Sequence, residues 1–458
     1  MKVIVCGAGQ VGTNIARHLA TEHNDVTVID QSPELVRRVT ETLDVQGLCG
    51  FASYPDVLER AGASDADMLI AVANADEVNM VACQVAHSLF NVPTKIARVR
   101  AQSYQKPIWA DLFSRDHMPI DVIISPEIEV ARAINNRLKA PGAVDMIPMA
   151  DGLLQVIGVR LEDDCPIVDT PLRQLTSLFP DLHLIVIAII RDGKVIVPDP
   201  EDQLLIGDEV YFVAEAEHVA RSLAAFGHEE PKAHRIVIVG GGNIGLFLAQ
   251  EFEQTRSDLT TKMIELSKER ATQVAELLKE TMVVNGDALD LEILEEVNID
   301  QTDTIVAVTN DDEVNILSSL LAKRNGAKRA VTLVNKLSYE PLIASLGVDV
   351  VVNPRAITVS TILRHIRRGR IIAVHALREG AGEVIEAEAL DTSAAVGKPL
   401  RDIRMDKGII IGAVVRGDEV LLPRGDLEIK AKDRVVLFAA AQAVKEVEQL
   451  FAVGLEFF

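Results

Sequence analysis

Basic charge, cysteine and long apolar runs are all scarce in this chain of 458 residues. Lys and Arg number 46 against 68 Asp and Glu, leaving a formal net charge of −22. That balance repels the phosphates of DNA or RNA and the face of an anionic membrane, so no nucleic-acid partner is expected. The four cysteines, Cys6, Cys49, Cys83 and Cys165, show no CxxC spacing. Neither a zinc site nor a disulfide framework is indicated, no metal is expected, and a reduced, cytoplasmic setting is the natural one. No apolar run approaches the ~18 residues needed to span a bilayer, and the N-terminus enters a strand pattern rather than a signal peptide. Any membrane role is expected to come through a partner.

Catalytic signatures are missing as well. The Walker loop GxxxxGK[ST], the GxSxG elbow, HExxH and the EF-hand loop do not occur. None of Tyr54, Tyr104, Tyr211 and Tyr339 has Lys four residues later, which removes one common proton-transfer pair of nicotinamide-dependent dehydrogenases. His18, His23 and His87 sit in helical or loop patterns with no acidic orienter.

What is present begins with VIVCGAGQVG at residues 3–12. An apolar run breaks into a GxGxxG loop at Gly7, Ala8, Gly9, Gln10, Val11 and Gly12, then a helical pattern starts. Glycines there allow backbone to approach a pyrophosphate in front of a helix N-terminus. Asp30 ends a second strand, where a carboxylate accepts hydrogen bonds from an adenosine ribose and repels a 2′-phosphate. NAD(H) or an adenine nucleotide is favoured over NADP; a solvated aspartate beside a structural turn is the bland alternative.

The chain is then written a second time. Gly240, Gly241, Gly242, Asn243, Ile244 and Gly245 repeat the loop, Glu265 falls on Asp30, Gly286 on Gly50, and Asn310–Asn315 on Asn74–Asn79. Ser338-Tyr339 falls on Ser103-Tyr104, and Asn353-Pro354 on Ser125-Pro126. Each copy alternates Val/Ile-rich runs with helical patterns, as parallel βαβ units do. In the first copy, strands are expected near 2–6, 25–30, 68–73, 95–99 and 121–124, and a helix over 127–139 leaves the domain. After each copy comes a duplicated hairpin-rich segment, with Arg191-Asp-Gly193 matching Arg416-Gly-Asp418 and Asp208 matching Asp433. The fold class is therefore α/β: two Rossmann-like doubly wound parallel-sheet domains (1–124 and 233–352), each followed by a crossover helix and small α+β domain (125–229 and 353–458). The two halves are expected to pack as a pseudo-dimer.

Two constellations at strand ends have two readings each. Asn74-Ala-Asp-Glu77 and Asn310-Asp-Asp-Glu313 resemble capping boxes with Asn at the N-cap, while Ala73 and Asn74 would also line an adenosine pocket. Arg98 and Arg100 end the fourth expected strand, where guanidinium groups meet phosphates bidentately or pair with surface carboxylates. Copy two has Leu333 and Asn335 instead.

These residues, together with SDADMLIAVANADEVNMVACQVA, KIARVR, GDALDLEILEE and the paired PLR and RGDEV segments, resemble the RCK (regulator of potassium conductance) family. The form is the tandem one of Trk potassium-uptake systems, with a TrkA-N and a TrkA-C domain in each half. The resemblance implies a non-enzymatic gating protein that binds NAD(H), ATP or ADP and assembles as a homotetrameric ring on the cytosolic face of a membrane potassium-transporting subunit. It assigns nucleotide contacts to Gly7 to Val11, Asp30, Ala73, Asn74 and Arg98, and to Gly240 to Ile244, Glu265 and Asp287. Copy one departs from the family pattern, with Phe51 after Gly50 where copy two has Asp287 after Gly286. A soluble NAD-dependent oxidoreductase, or a nucleotide sensor for another transporter, are the competing readings.

Overall fold

Short β-branched runs spaced by amphipathic stretches build the first parallel sheet from β1 (Lys2–Cys6), β2 (Asp25–Asp30), β3 (Gln46–Cys49), β4 (Met68–Ala71), β5 (Thr94–Arg98) and β6 (Val122–Ile124). The computed structural model describes residues 1–458 except 22–23, 179–183, 257, 337–338, 340–341, 344–345, 367–369, 378–380 and 453–458. His23 and Ser338 of the sequence reading thus lie outside the described residues. Strand order is β3-β2-β1-β4-β5-β6. Cys6 lies between Ile29 of β2 and Ala71 of β4, so the order reverses there and opens a crevice at the carboxyl ends of β1 and β4. Helices α1 (Gln10–Thr21), α2 (Pro33–Thr42), α3 (Pro55–Arg60) and α4 (Asp76–Phe90) connect the strands. All of β4 is buried, which requires cover on both sheet faces. The sixth strand, β3, is an addition to the five expected: its QGLC sequence is an exposed edge that needs no apolar alternation.

Pro126 starts the crossover helix α5 (Pro126–Lys139), as proline at a first helical position predicts, although Ser125 Oγ makes no cap bond. An antiparallel sheet follows, made of β7 (Ala143–Met149), β8 (Leu154–Arg160), β9 (Ile185–Arg191), β10 (Lys194–Ile196) and β11 (Glu209–Glu215), with helices α6 (Leu172–Leu178) and α7 (Val219–Ala225). Its order is β10-β9-β11-β8-β7. Asp192 and Gly193 both have positive φ and make the two-residue turn between β9 and β10. Arg191 then pairs bidentately with the buried Asp208, Nε to Oδ1 at 2.8 Å and Nη2 to Oδ2 at 2.7 Å. Arg416 and Asp433 repeat that pair at 2.9 and 2.7 Å, which explains why both residues recur at matching places in the sequence.

The second parallel sheet has β12 (Arg235–Val239), β13 (Thr260–Glu265), β14 (Met282–Asn285), β15 (Thr304–Ala307), β16 (Arg329–Leu333) and β17 (Val350–Val352), in the order β14-β13-β12-β15-β16-β17. It carries α8 (Asn243–Thr255), α9 (Lys268–Leu277), α10 (Leu291–Glu296) and α11 (Asp312–Arg324). A second crossover helix, Pro354–Ile366, leads to β18 (Ile371–Leu377), β19 (Gly382–Glu388), β20 (Ile409–Arg416), β21 (Glu419–Leu421) and β22 (Arg434–Ala440). Matched strand for strand, the fourth sheet has the topology of the second.

Chain order and packing units do not coincide. Met1–Glu129 cluster with Arg355–Ile366 as one unit, and Val130–Pro354 with Arg367–Phe458 as the other. The second crossover helix thus belongs almost wholly with the first parallel sheet. The later turns of α5 belong with the second, where buried Asn135 donates to Glu251 of α8 at 2.7 Å.

Within the larger unit the two small sheets share one apolar core, including Ile187, Val213, Val384, Val415 and Phe438. Gly412 is required at that contact, since a Cβ there would stand 2.4 Å from Val213. Buried Asp145 accepts from Arg137 Nη2 at 2.8 Å and meets His375 Nε2 at 3.2 Å. Burial alone would raise its carboxyl, but Arg137, His375 and the Met146 N–H outweigh that and hold it at about 2. A carboxyl depressed on folding stabilises fully above its unfolded value and loses that contribution as pH falls through the folded one. Urea titrations should therefore show stability dropping between roughly pH 4 and 2. Asp145→Asn should start lower at pH 7 and show a smaller drop; an unchanged drop would remove Asp145 from the account.

Candidate nucleotide site

Gly7 leaves β1 with φ +116°, donating its N–H to Ile29 O at 2.7 Å. Only glycine adopts that backbone readily. A Cβ on Gly12 would sit 1.8 Å from Gly7 O, so helix and loop touch backbone to backbone there. At Gly9 a Cβ would meet nothing within 4 Å: the middle of the loop faces open space. Gln10 and Val11 begin α1, whose first turn contains no acid to oppose an anion.

Asp30 sits at the end of β2, where the sequence reading places it. Its Oδ2 accepts from Ala8 N at 2.7 Å and its Oδ1 from Ser32 N at 2.8 Å. The carboxylate therefore fastens the glycine loop, and each oxygen retains a lone pair for a ribose hydroxyl.

Copy two reproduces this construction. Gly240 has φ +104° and bonds Ile264 O at 2.9 Å, Gly242 faces open space, and a Cβ on Gly245 would lie 2.0 Å from Gly240 O. Glu265 accepts from Gly241 N at 2.7 Å and Ser267 N at 2.8 Å. The first turn of α8, with Asn243 and Ile244, is also free of acids.

The capping-box expectation is corrected. The N-cap of α4 is Ala75, which makes no side-chain cap bond, so Asn74 does not cap it. In copy two the cap is Asp311, one residue after Asn310, accepting from Val314 N at 2.9 Å. The repeated acid and amide serve another purpose. Buried Asn79 accepts from Ala73 N at 2.8 Å and donates to Ala73 O at 3.0 Å and Arg98 O at 2.9 Å, tying the chain after β4 to the end of β5. Asp76 accepts from Arg100 N and Ala101 N, gripping the chain just beyond β5. Asn315 and Asp312 do the same for Thr309, Leu333, Asn335 and Lys336. Sequence reasoning missed Asp76 and Asn79, although their recurrence in both copies was the available signal.

The two arginines separate. Arg100 donates Nε to Glu127 Oε1 at 2.8 Å and Nη1 to the exposed Asn74 Oδ1 at 3.4 Å, so in this structure it follows the carboxylate-pairing alternative. Arg98 is half-buried and its Nε has no hydrogen-bond partner. Burial disfavours its charged form, with Glu127 offsetting part of that. Ser125 Oγ and Glu127 Oε2 are orphaned beside it, just past the ends of β5 and β6. Buried polar groups are ordinarily bonded, so three together mark a place fitted to an outside partner. Glycine cradle, acid-free helix start and orphaned guanidinium together fit a phosphorylated ligand.

Copy two has no arginine at this edge of β16. Arg270 of α9 instead donates Nε to Gly241 O at 2.8 Å from the other side of the loop; its counterpart in copy one is Leu35, so no repeat signal pointed to it. Asp287 is exposed, with Oδ1 accepting from Leu289 N at 2.9 Å.

The TrkA-N domain family matches residues 3–126 and 236–354, and the TrkA-C domain family residues 156–227 and 384–452. The Trk system potassium uptake protein TrkA of Azorhizobium caulinodans is 57% identical over 458 residues, 100% of each chain. The protein of the same name from Halomonas elongata is 44% identical over 462 residues, again 100% of each. Among solved structures, the GsuK RCK domain superposes with a TM-score of 0.60 at 19% identity, over 98% of this chain and 94% of its own. A GsuK channel bound to NAD gives 0.60 at 18%, over 98% and 78%. At such identities the likeness is one of fold. With both domain families matched twice and the relatives aligned end to end, the chain belongs to the Trk system potassium uptake protein TrkA family.

Proposed function

We propose that this chain is the nucleotide-sensing regulatory subunit of a Trk-type potassium uptake system. It works on the cytosolic side of a membrane potassium-transporting partner and assembles with its own copies into a tetrameric ring. No helix among the described residues is long and apolar enough to cross a membrane, so the ion path is assigned to the partner. Its regulatory ligands are NAD(H), ATP or ADP, which share an adenosine and a phosphate chain. The observation that carries this reading is Arg98, a half-buried guanidinium with an orphaned Nε on the same carboxyl edge of the sheet as the open glycine cradle.

A ligand moves a two-state ring only by binding one state more tightly than the other. ATP, ADP and NAD(H) present the same ribose to Asp30, so discrimination falls to the phosphate end. Arg100 is held there by Glu127, the second residue of α5. A phosphate that draws Arg100 away leaves Glu127 without its cation, and the strain passes directly into the crossover helix.

Arg98→Ala should weaken ATP binding by about 10- to 100-fold, the worth of a charge-assisted hydrogen bond. Adenosine binding should stay within about twofold. Calorimetry on the full chain reads both, and equal losses would remove Arg98 from phosphate recognition. Potassium flux through the reconstituted complex, compared with ATP, ADP, NAD and NADH, tests the regulation itself; flux indifferent to all four would overturn it.

A further inference from the structure

Aromatic residues make up only 4% of the chain, yet two of them are half exposed at one sheet edge. Phe51 is 49% and Tyr54 52% exposed, with ring centroids 5.1 Å apart and planes inclined by 30°. Large apolar rings left in water call for an explanation when they stand together beside a site. Their place is fixed by the backbone. Cys49, the last residue of β3, lies opposite Asp30, Gly50 N donates to Asp30 O at 2.9 Å, and Tyr54 N donates to Phe51 O at 3.0 Å. The ring pair thus stands on the carboxyl edge of the sheet that carries Asp30, just beyond the residue bonded to its carbonyl.

Copy two offers an internal comparison. Gly286 N donates to Glu265 O at 3.1 Å, as Gly50 does to Asp30, and each glycine is packed against its following helix, by Ile293 or by Val57. The next residue is Asp287 in copy two and Phe51 in copy one. One backbone position therefore carries a carboxylate in one pocket and an aromatic ring in the other.

We propose that Phe51 and Tyr54 form a stacking platform for the purine base, which makes the first pocket accept guanine as well as adenine nucleotides, whereas Asp287 makes the second selective for adenine. This rests on the nucleotide reading given above. A carboxylate set opposite the purine 6-position accepts from the adenine 6-amino group and repels the guanine 6-carbonyl. An aromatic face stacks on either base, because each has a π-surface. The ligand class of pocket one is thus a purine nucleoside di- or triphosphate without regard to base.

The pockets can be read singly by filling one cradle at a time. Gly242→Val places a side chain in open space and silences pocket two; Gly9→Val silences pocket one. In the Gly242→Val chain, ADP and GDP should bind within about threefold of each other by calorimetry. Phe51→Ala should weaken both by about tenfold, the usual worth of stacking on a ring. Phe51→Tyr should restore them, and Phe51→Asp should favour ADP over GDP by about tenfold or more. In the Gly9→Val chain, ADP should exceed GDP by a similar factor. ADP binding with GDP rejected, and no response to Phe51→Ala, would overturn the platform while leaving the nucleotide reading intact. Failure of the Gly242→Val chain to bind ADP at all would overturn both for this pocket.

Discussion

Gly12→Ala is expected to abolish nucleotide binding at the first pocket and to destabilise its unit by about 3 kcal/mol. The added methyl would lie 1.8 Å from Gly7 O, and the atom it meets is backbone rather than the end of a flexible side chain. Relief requires α1 or the loop to move by more than an ångström, which pulls Ala8 N from Asp30 and disperses the N–H groups that face the ligand. Gly9→Val is the informative partner. It adds more atoms, but into open space, so urea unfolding should shift by no more than about 0.5 kcal/mol while binding is equally lost. Together the two variants separate the glycine that builds the cradle from the glycine that leaves it empty. With the second pocket silenced by Gly242→Val, Gly12→Ala chains of parental ADP affinity would show that the loop is not the site.

Asn79→Ala should cost about 3 kcal/mol or more, although it touches no ligand. Its amide is fully buried and serves Ala73 N, Ala73 O and Arg98 O. Truncation leaves three main-chain groups unpaired at once, each worth about 1–3 kcal/mol when stranded away from water. Asn79→Asp should be no rescue, because a carboxylate satisfies Ala73 N but faces two carbonyl oxygens. Denaturant midpoints would check both, and ATP affinity should fall with them, since Arg98 hangs from the strand end that Asn79 holds. A loss below about 1 kcal/mol for Asn79→Ala would mean that water replaces the amide.

The contrast between these two residues shows how much the sequence could say. Gly12 was legible because GxGxxG is a local pattern whose cause, close backbone approach, is local too. Asn79 was visible in both copies, yet the local logic of helix capping claimed the motif around it. Its partners at Arg98 lie across the sheet, and strand-to-strand bonding leaves no trace in spacing along the chain. Strand β3 was missed because an exposed edge needs no apolar alternation. Arg98 and Arg100 looked equivalent until Glu127, 27 residues after Arg100, took one of them. The four sheets, by contrast, followed from the duplication: a pattern repeated with its turn residues and ion-pair partners constrains topology more than either copy alone.

The unit that holds the first glycine loop is closed by Arg355–Ile366, separated from Glu129 by 225 residues (355 − 129 − 1). At a ribosomal pace of ~5–20 residues per second, that stretch takes roughly 10 to 45 s to make. For all of that time the nascent first domain lacks the helix that completes its unit, the one whose Val359, Ile362, Leu363 and Ile366 are buried in the finished chain. Completion of the first unit therefore waits on synthesis of the whole second parallel sheet, so this domain is the last of the two nucleotide domains to be finished although it is the first to be made.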